Sequence, residues 1–173
     1  MNTKELSRFL RDDARLQKTK LCDEWYRQWD LNGDKQYLIN LYLKGIDFAI
    51  ANDWPDLDFV KKNFEKELLR KNNILVDDSF SILNKSIVVL LGNSVGKIRN
   101  SGWNICTCYV CHNSIAEITV RNMSYTTIHA FGNATIKIRT EDKATAVVIL
   151  HSDNAKIDAP DKVKIRKDET SYK

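Results

Sequence analysis

The second half of the chain, from about residue 73, repeats its apolar and polar positions with a period of twenty residues. Asparagine marks the period, and aspartate and asparagine mark it in the last repeat: Asn73, Asn93, Asn113, Asn133, Asp153 and Asn154. Three apolar columns recur with it: Val88, Cys108, Ile128 and Val148; Leu90, Val110, Ala130 and Leu150; and Ile98, Ile118 and Ile138. Because apolar residues alternate with others at every second position, each period predicts β-strands. Strands stacked at constant spacing predict a parallel β-solenoid with coils about 4.8 Å apart.

The repeated asparagines predict the corners between strands, because asparagine tolerates the left-handed backbone that a tight corner requires. The period leaves two, three or four sides open for each coil. Twenty residues also equal four pentapeptides, and Ile98, Trp103 and Cys108 are spaced by five. The columns two residues earlier are not consistently small, so a general β-helix is favoured over a pentapeptide coil. The sequence predicts four to five coils of about 20 residues, closed by a C-terminal capping strand.

The first half shows helical spacing. Asn2 and Glu5 form a candidate capping box, and apolar residues three and four apart follow in four segments. The residues that show this spacing include Leu6, Phe9 and Leu10; Leu21, Cys22, Trp25 and Trp29; Tyr37, Leu38, Leu41 and Phe48; and Phe59, Val60, Phe64, Leu68 and Leu69. We therefore predict an α+β protein with a helical head of about four helices at 1–72 and a β-solenoid at 73–173.

One strand of each coil carries apolar residues on its outward positions as well as its inward ones. The outward columns read Ile87, Thr107, Thr127 and Val147; Val89, Tyr109, His129 and Ile149; and Leu91, Cys111, Phe131 and His151. Strands that are apolar on both faces are typically covered on both faces. The cover is either the helical head or a second protein, and in the second case seven residues are interface candidates: Val89, Leu91, Tyr109, His129, Phe131, Ile149 and His151. The other strand carries Lys97, Glu117 and Lys137 outward, which indicates a solvated face.

Composition narrows the function class. The chain is 43% hydrophobic and 29% charged, with a net charge of +4 spread over both halves, which does not favour a dedicated nucleic-acid binder. No apolar run approaches the roughly 20 residues of a membrane span, and the N-terminus does not resemble a signal peptide. We therefore expect a cytoplasmic protein, and we expect its four cysteines to be free thiols.

Candidate chemistry is sparse. Cys106, Cys108, Cys111 and His112 are the densest group of soft ligands, but strand alternation points Cys106 and Cys108 away from Cys111, so no metal site is predicted. Asp30-x-Asn32-x-Asp34 resembles the start of a calcium loop and lacks its glycine and closing glutamate, so it predicts a helix-capping turn. The histidines fall in three different columns and the acids are scattered, so we predict neither an enzyme nor a cofactor.

Four segments carry a resemblance: Leu21-Cys22-Asp23-Glu24-Trp25, Gly45-Ile46-Asp47-Phe48, Lys66-Glu67-Leu68-Leu69 and Tyr109-Val110-Cys111-His112-Asn113-Ser114. With its helical head and repeat, the chain resembles a group of small uncharacterised proteins encoded by gut bacteria and their phages. The resemblance implies the same architecture and a mobile-element setting, with the host cytosol as the location if a phage encodes the protein. It implies no site residues. The repeat is also similar to that of bactofilins, which polymerise through solenoid ends but lack such a head and differ in coil length.

These observations favour a non-enzymatic protein-interaction module, as a phage or mobile-element accessory or inhibitor that uses the solenoid strand face. Its partner would be another protein or a second copy. One alternative is a self-assembling scaffold that stacks through the C-terminal coil, which the charges from Lys162 to Glu169 oppose. Another is a small-molecule or metal-binding module near Cys111 and His112.

Overall fold

A computed structural model of the chain describes residues 1–168. It divides into two units, Met1–Leu68 and a second unit that begins at Leu69. The division falls within a helix, close to the boundary that the sequence places after residue 72. Helices precede a parallel β-solenoid of about four turns, which confirms the predicted α+β fold.

The four predicted helical segments are present, and two of them are each divided in two. The helices are α1 Thr3–Ala14, α2 Asp23–Gln28, α3 Lys35–Lys44, α4 Ile46–Asn52, α5 Leu57–Asn63 and α6 Lys66–Lys71. Gly45 separates α3 from α4: its ψ of 30° leaves the helical region and its N–H caps α3 on Leu41, since glycine is a poor helix former. Phe64, in extended backbone with φ −122°, separates α5 from α6.

Side-chain caps set where three of these helices begin. Asn2 and Glu5 form the predicted capping box, with both hydrogen bonds 2.9 Å long. Asp34 accepts a hydrogen bond from the Tyr37 backbone N–H, and Asp56 accepts one from Phe59. The Asp30–Asp34 segment is therefore a capping turn, as predicted.

The solenoid has two sides. Its strands are β1 Ile74–Val76, β2 Ser79–Leu83, β3 Ile87–Leu91, β4 Val95–Asn100, β5 Ile105–Val110, β6 Ile115–Val120, β7 Tyr125–Ala130, β8 Thr135–Thr140, β9 Thr145–Leu150, β10 Lys156–Asp158 and β11 Lys164–Lys167. The odd-numbered strands form a six-stranded sheet, here sheet A, in the order β1-β3-β5-β7-β9-β11. The even-numbered strands form a five-stranded sheet, sheet B, in the order β10-β8-β6-β4-β2.

The period of twenty comes from two half-coils. From β4 to β9 each half-coil consists of a six-residue strand and a four-residue corner. All three predicted apolar columns pair in register, for example Ile98 with Ile118 and Ile118 with Ile138. These columns point between the two sheets and form the core. The column prediction is therefore confirmed.

At the corners, the residue with left-handed backbone is not the predicted asparagine. Positive φ belongs to the residues that precede the repeated asparagines: Gly92 at 70°, His112 at 58° and Gly132 at 58°. The asparagines instead bond to one another along the stack, from Asn133 to Asn113 at 3.0 Å and from Asn113 to Asn93 at 3.4 Å. Their period therefore reflects a side-chain amide ladder.

The laps at the two ends of the solenoid depart from twenty residues. Ile74 pairs with Val89, which makes the first lap on sheet A fifteen residues long. Asn73, which is itself left-handed with φ 60°, therefore does not share the register of Asn93, and its place in the repeat was predicted wrongly. At the other end Val147 pairs with Lys164, so that lap has seventeen residues.

Size complementarity fills the core between the sheets. Along sheet A the residues become smaller from Leu90 to Val110 to Ala130, while along sheet B they become larger from Gly96 to Ala116 to Ile136. A Cβ at Gly96 would lie 2.8 Å from the Leu90 side chain, which shows that the large residue of one column occupies the space left by the small residue of the other.

Arg70 and Asp78 join the start of the second unit to its first corner. The Arg70 guanidinium donates two hydrogen bonds to the Asp78 carboxylate, at 2.5 and 2.7 Å. The Asp78 side chain is only 3% exposed, so the bidentate pair compensates a charge that burial would otherwise penalise.

Candidate functional site

The outer face of sheet A has the columns that alternation predicts. Val89 pairs with Tyr109, Tyr109 with His129 and His129 with Ile149, so the second outward column is continuous across four strands. The column beside it brings Phe131 and His151 next to these residues.

Four of the predicted interface residues form one ring stack on this face. The centroids of Tyr109 and His129 lie 4.9 Å apart, and those of Phe131 and His151 lie 4.1 Å apart with ring planes 3° from parallel. His129 and His151 are 5.2 Å apart. Adjacent rungs place flat rings at stacking distance, so the cluster adds to the stability of the solenoid wall.

Two histidines that the sequence analysis treated as separate are hydrogen bonded to each other. His129 Nδ1 lies 2.9 Å from His151 Nε2, and Asp168 Oδ2 lies 3.0 Å from His151 Nδ1. The carboxylate favours a proton on His151 Nδ1, so a neutral His151 accepts at Nε2 from His129. The chain from Asp168 to His129 links β7 to the residues that follow β9 and β11.

The predicted interface residues divide by exposure. Val89 is 0% exposed, Leu91 7% and Tyr109 8%, so they have almost no accessible surface to offer. His129, Phe131 and Ile149 are partly exposed, whereas the His151 side chain is only 5% exposed. The ring stack is therefore accessible mainly at His129 and Phe131.

The predicted cysteine and histidine group does not converge. Cys106 and Cys108 are buried between the sheets, with their sulfur atoms 3.5 Å apart, and Cys111 lies in an outward column of sheet A. The bond to Cys106 and burial raise the pKa of the Cys108 thiol well above its ordinary value, so Cys108 stays protonated and unreactive at neutral pH. His112 is a corner residue whose Nδ1 accepts from the Gly92 N–H. Among residues 1–168 no three His, Cys, Asp or Glu side chains gather as metal ligands would.

A surface that the sequence analysis missed lies at the corners leading from sheet B to sheet A. We call it the Trp103 edge, and its members are Leu83, Trp103, Ile105, Met123 and Tyr125. Trp103 is 81% exposed, Ile105 69%, Leu83 62%, Met123 46% and Tyr125 41%. Ile105 pairs with Tyr125, and the Met123 N–H bonds to the Gly102 carbonyl, so these residues occupy adjacent rungs of one margin.

The short first lap explains why two members of the edge, Trp103 and Ile105, are exposed. Leu83 pairs with Arg99 and Ile87 pairs with Thr107. Between these pairs the first lap has three residues, 84–86, and the second has seven, 100–106. The longer segment extends past the shorter one, so Trp103 and Ile105 lack the rung that would cover them.

Basic residues surround this edge. Lys85, Arg99, Arg139 and Lys143 are exposed on its flanks, and no ion pair is found for them within the part of the chain that the structure describes. Arg121 and Glu141 form an ion pair at 2.9 Å, so their charges cancel. Only Asp142 offsets the four cations, which leaves a local net charge of +3.

One sequence signal could have identified the edge. Trp103, Met123 and Lys143 occupy one column of the period, outside the three core columns, and a column with a tryptophan and a methionine outside the core indicates exposed apolar surface. That the column is exposed depends on the lap lengths, which the period conceals.

Comparison of the chain with protein-family models, with curated proteins and with solved structures finds no significant match. None of the helices described in residues 1–168 has the length and apolar content needed to cross a bilayer.

Proposed function

We propose that the protein is a non-enzymatic protein-interaction module whose contact surface is the Trp103 edge. The observation that carries the proposal is a row of four large apolar side chains on two adjacent rungs, Trp103, Ile105, Met123 and Tyr125, which are 41% to 81% exposed. Contiguous exposed apolar surface on a folded protein marks interaction sites, and tryptophan and tyrosine dominate binding energy at protein interfaces. This proposal moves the contact surface from the sheet A face to the corner.

The rigidity of the solenoid supports this role. Ile105 and Tyr125 begin strands β5 and β7, which pair with each other along their whole length, and Trp103 and Met123 lie in the four-residue corners that precede these strands. The backbone of the edge is therefore held in place before binding, and little backbone entropy is lost. Apart from the Tyr125 phenol, the five members of the edge carry no acid, base or thiol, so the edge is better suited to contact than to proton transfer.

We also propose a biological setting for the module. On the resemblance to small phage and gut-bacterial proteins, we place the module as an accessory protein of a phage or mobile element that binds and inhibits a host protein. Its four cysteines are free thiols, which is usual in a reducing cytoplasm.

The self-assembling scaffold is the competing function. Stacking would require strand addition at β11, where Lys164, Arg166 and Lys167 are exposed. Lysine and arginine on an edge strand oppose the addition of another strand. Mass in solution over a concentration series separates the two functions, because the scaffold grows without limit and the interaction module keeps a fixed mass.

The direct test compares partner capture from the native host by three forms of the full chain. These are the wild type, the double variant Trp103→Ala/Ile105→Ala and the control Leu16→Ala, whose side chain is also 81% exposed but lies in the helical unit. We expect a protein that is retained by the wild type and the control and lost by the double variant. Equal retention by all three forms would refute the proposal.

A further inference from the structure

We infer that the partner presents to the Trp103 edge an acidic protein segment with apolar anchor residues. This inference rests on the proposed function and adds the chemistry of the partner to it. It is carried by charge complementarity, because the apolar row lies among cations that have no ion-pair partner in the described part of the chain.

The position of the cations defines the complementary charge. Arg99 and Arg139 are both in register with Thr119, so they lie two rungs apart, about 10 Å, at the corner end of sheet B. Lys85 and Lys143 lie before and after the apolar row along the stack. Arginine pairs with carboxylates through two parallel hydrogen bonds, so carboxylates that flank an apolar anchor would match this pattern.

The length of the apolar row fits a short protein segment. Met123 is followed one lap later by Lys143, and Tyr125 pairs with Thr145, so the apolar surface ends there. It therefore spans about two rungs, or roughly 10 Å, which two or three anchor side chains would cover.

One feature disfavours a single-stranded nucleic acid at the same place. Trp103 and Tyr125 occupy different columns, so they do not form the continuous ring series on which successive bases stack.

The test selects short random peptides, displayed on phage, on the immobilised full chain. Peptides that also bind the Trp103→Ala/Ile105→Ala variant are removed by counter-selection. We expect the remaining peptides to combine aspartate or glutamate with an aromatic or aliphatic residue. Because Trp103 and Ile105 are exposed, we expect the variant to unfold at the same denaturant concentration as the wild type. An equal midpoint would confirm that the variant is folded.

A charge comparison then tests the arginines. Removing two flanking charges with Arg99→Gln/Arg139→Gln should weaken a selected peptide about tenfold, and higher salt should reduce the difference. The matched control Lys97→Gln/Lys137→Gln removes the same charge from the neighbouring column of the same strands and should change affinity less than about threefold.

The outcomes separate the inference from the proposed function. Edge-dependent peptides with no acidic bias and no response to the arginine changes would overturn the inference and leave the interaction module standing. Failure to recover any peptide that depends on Trp103 would overturn both. The inference would also be overturned if the edge bound oligothymidylate, or vesicles of phosphatidylcholine and phosphatidylglycerol in equal parts, more strongly than it binds the selected peptides.

Discussion

Single residues at the corners carry much of the backbone constraint of this fold. The left-handed corner position is occupied by glycine in some laps and by other residues in others, including His112, Asn122 and Asp142 with φ between 56° and 58°. A side chain at such a position costs energy that glycine avoids. The other corner residues repay this cost through contacts along the stack, such as the bond from the Gly92 N–H to His112.

Two glycines at equivalent left-handed positions separate the cost of backbone strain from the cost of a Cβ that contacts the neighbouring lap. Gly102 has φ +73° and open space where a Cβ would be, whereas a Cβ at Gly132 would lie 3.2 Å from the His112 carbonyl oxygen. We expect Gly102→Ala to lower the free energy of unfolding by about 1 kcal/mol, from backbone strain alone. Gly132→Ala should cost about 1 kcal/mol more, because the rung above cannot move away.

Urea denaturation of the two alanine variants measures this difference directly. The two variants share the substitution and the left-handed φ, so each serves as the control for the other. Equal losses would mean that contact with His112 contributes nothing to the requirement for glycine at residue 132.

At the scale of elements, the two sheets are matched in size rung by rung. Leu90 faces Gly96 in the second lap, and the later laps carry Val110 with Ala116 and Ala130 with Ile136 in the same columns. Each rung thus keeps a similar total side-chain volume while the individual residues differ. A solenoid core can therefore tolerate a larger residue in one column when the facing column carries a smaller one, and it tolerates a change in one column alone less readily.

A double-mutant cycle tests this matching. Gly96→Ala alone should destabilise the protein by about 1 to 3 kcal/mol, because the new methyl group overlaps Leu90. Leu90→Val alone should cost about 1 kcal/mol by leaving space. The double variant reproduces the Val110 and Ala116 combination of the next lap, so we expect it to be more stable than the sum of the single losses predicts, by at least about 1 kcal/mol.

Additivity of the two changes within error would show that the columns pack independently. The same cycle with Ile115→Ala in place of Gly96→Ala is the control. Ile115 is 44% exposed on sheet B, so its coupling to Leu90 should be close to zero.

At the scale of the whole molecule, the four thiols report on the integrity of the two units separately. Cys22 is exposed, and Cys106, Cys108 and Cys111 are buried in the solenoid. In native protein at neutral pH we expect one thiol, Cys22, to react quickly with a maleimide, and the other three to react at least about a hundredfold more slowly, after local or global opening.

Mass spectrometry of protein quenched over time measures the labelling site by site. Cys22→Ser should remove the fast phase and leave the three slow thiols unchanged. Fast labelling of Cys111 in native protein would contradict the burial of Cys111 on the outer face of sheet A.

The contrast between the two candidate surfaces shows the limit of pattern analysis. Alternation assigned Val89, Tyr109, His129 and Ile149 correctly to one outward column, because register in a stacked sheet follows the period. It did not show that His129 and His151 bond to each other, since that contact joins neighbouring columns on adjacent rungs. It also did not show that Trp103 is exposed, because exposure depends on what the preceding lap covers.

The sequence by itself determined the helical first half, through apolar residues spaced three and four apart. It also determined the stacked strands and the inward columns, because a strict period forces residues twenty apart into register whatever their surroundings. Only the tertiary structure decided the two-sided coil, the left-handed corner residue and the unequal end laps. Each of these depends on how many residues a corner spans between fixed pairs, and composition does not specify that number. The unequal first lap is also what leaves Trp103 and Ile105 uncovered, so the surface most suited to binding a partner follows from a departure from the repeat.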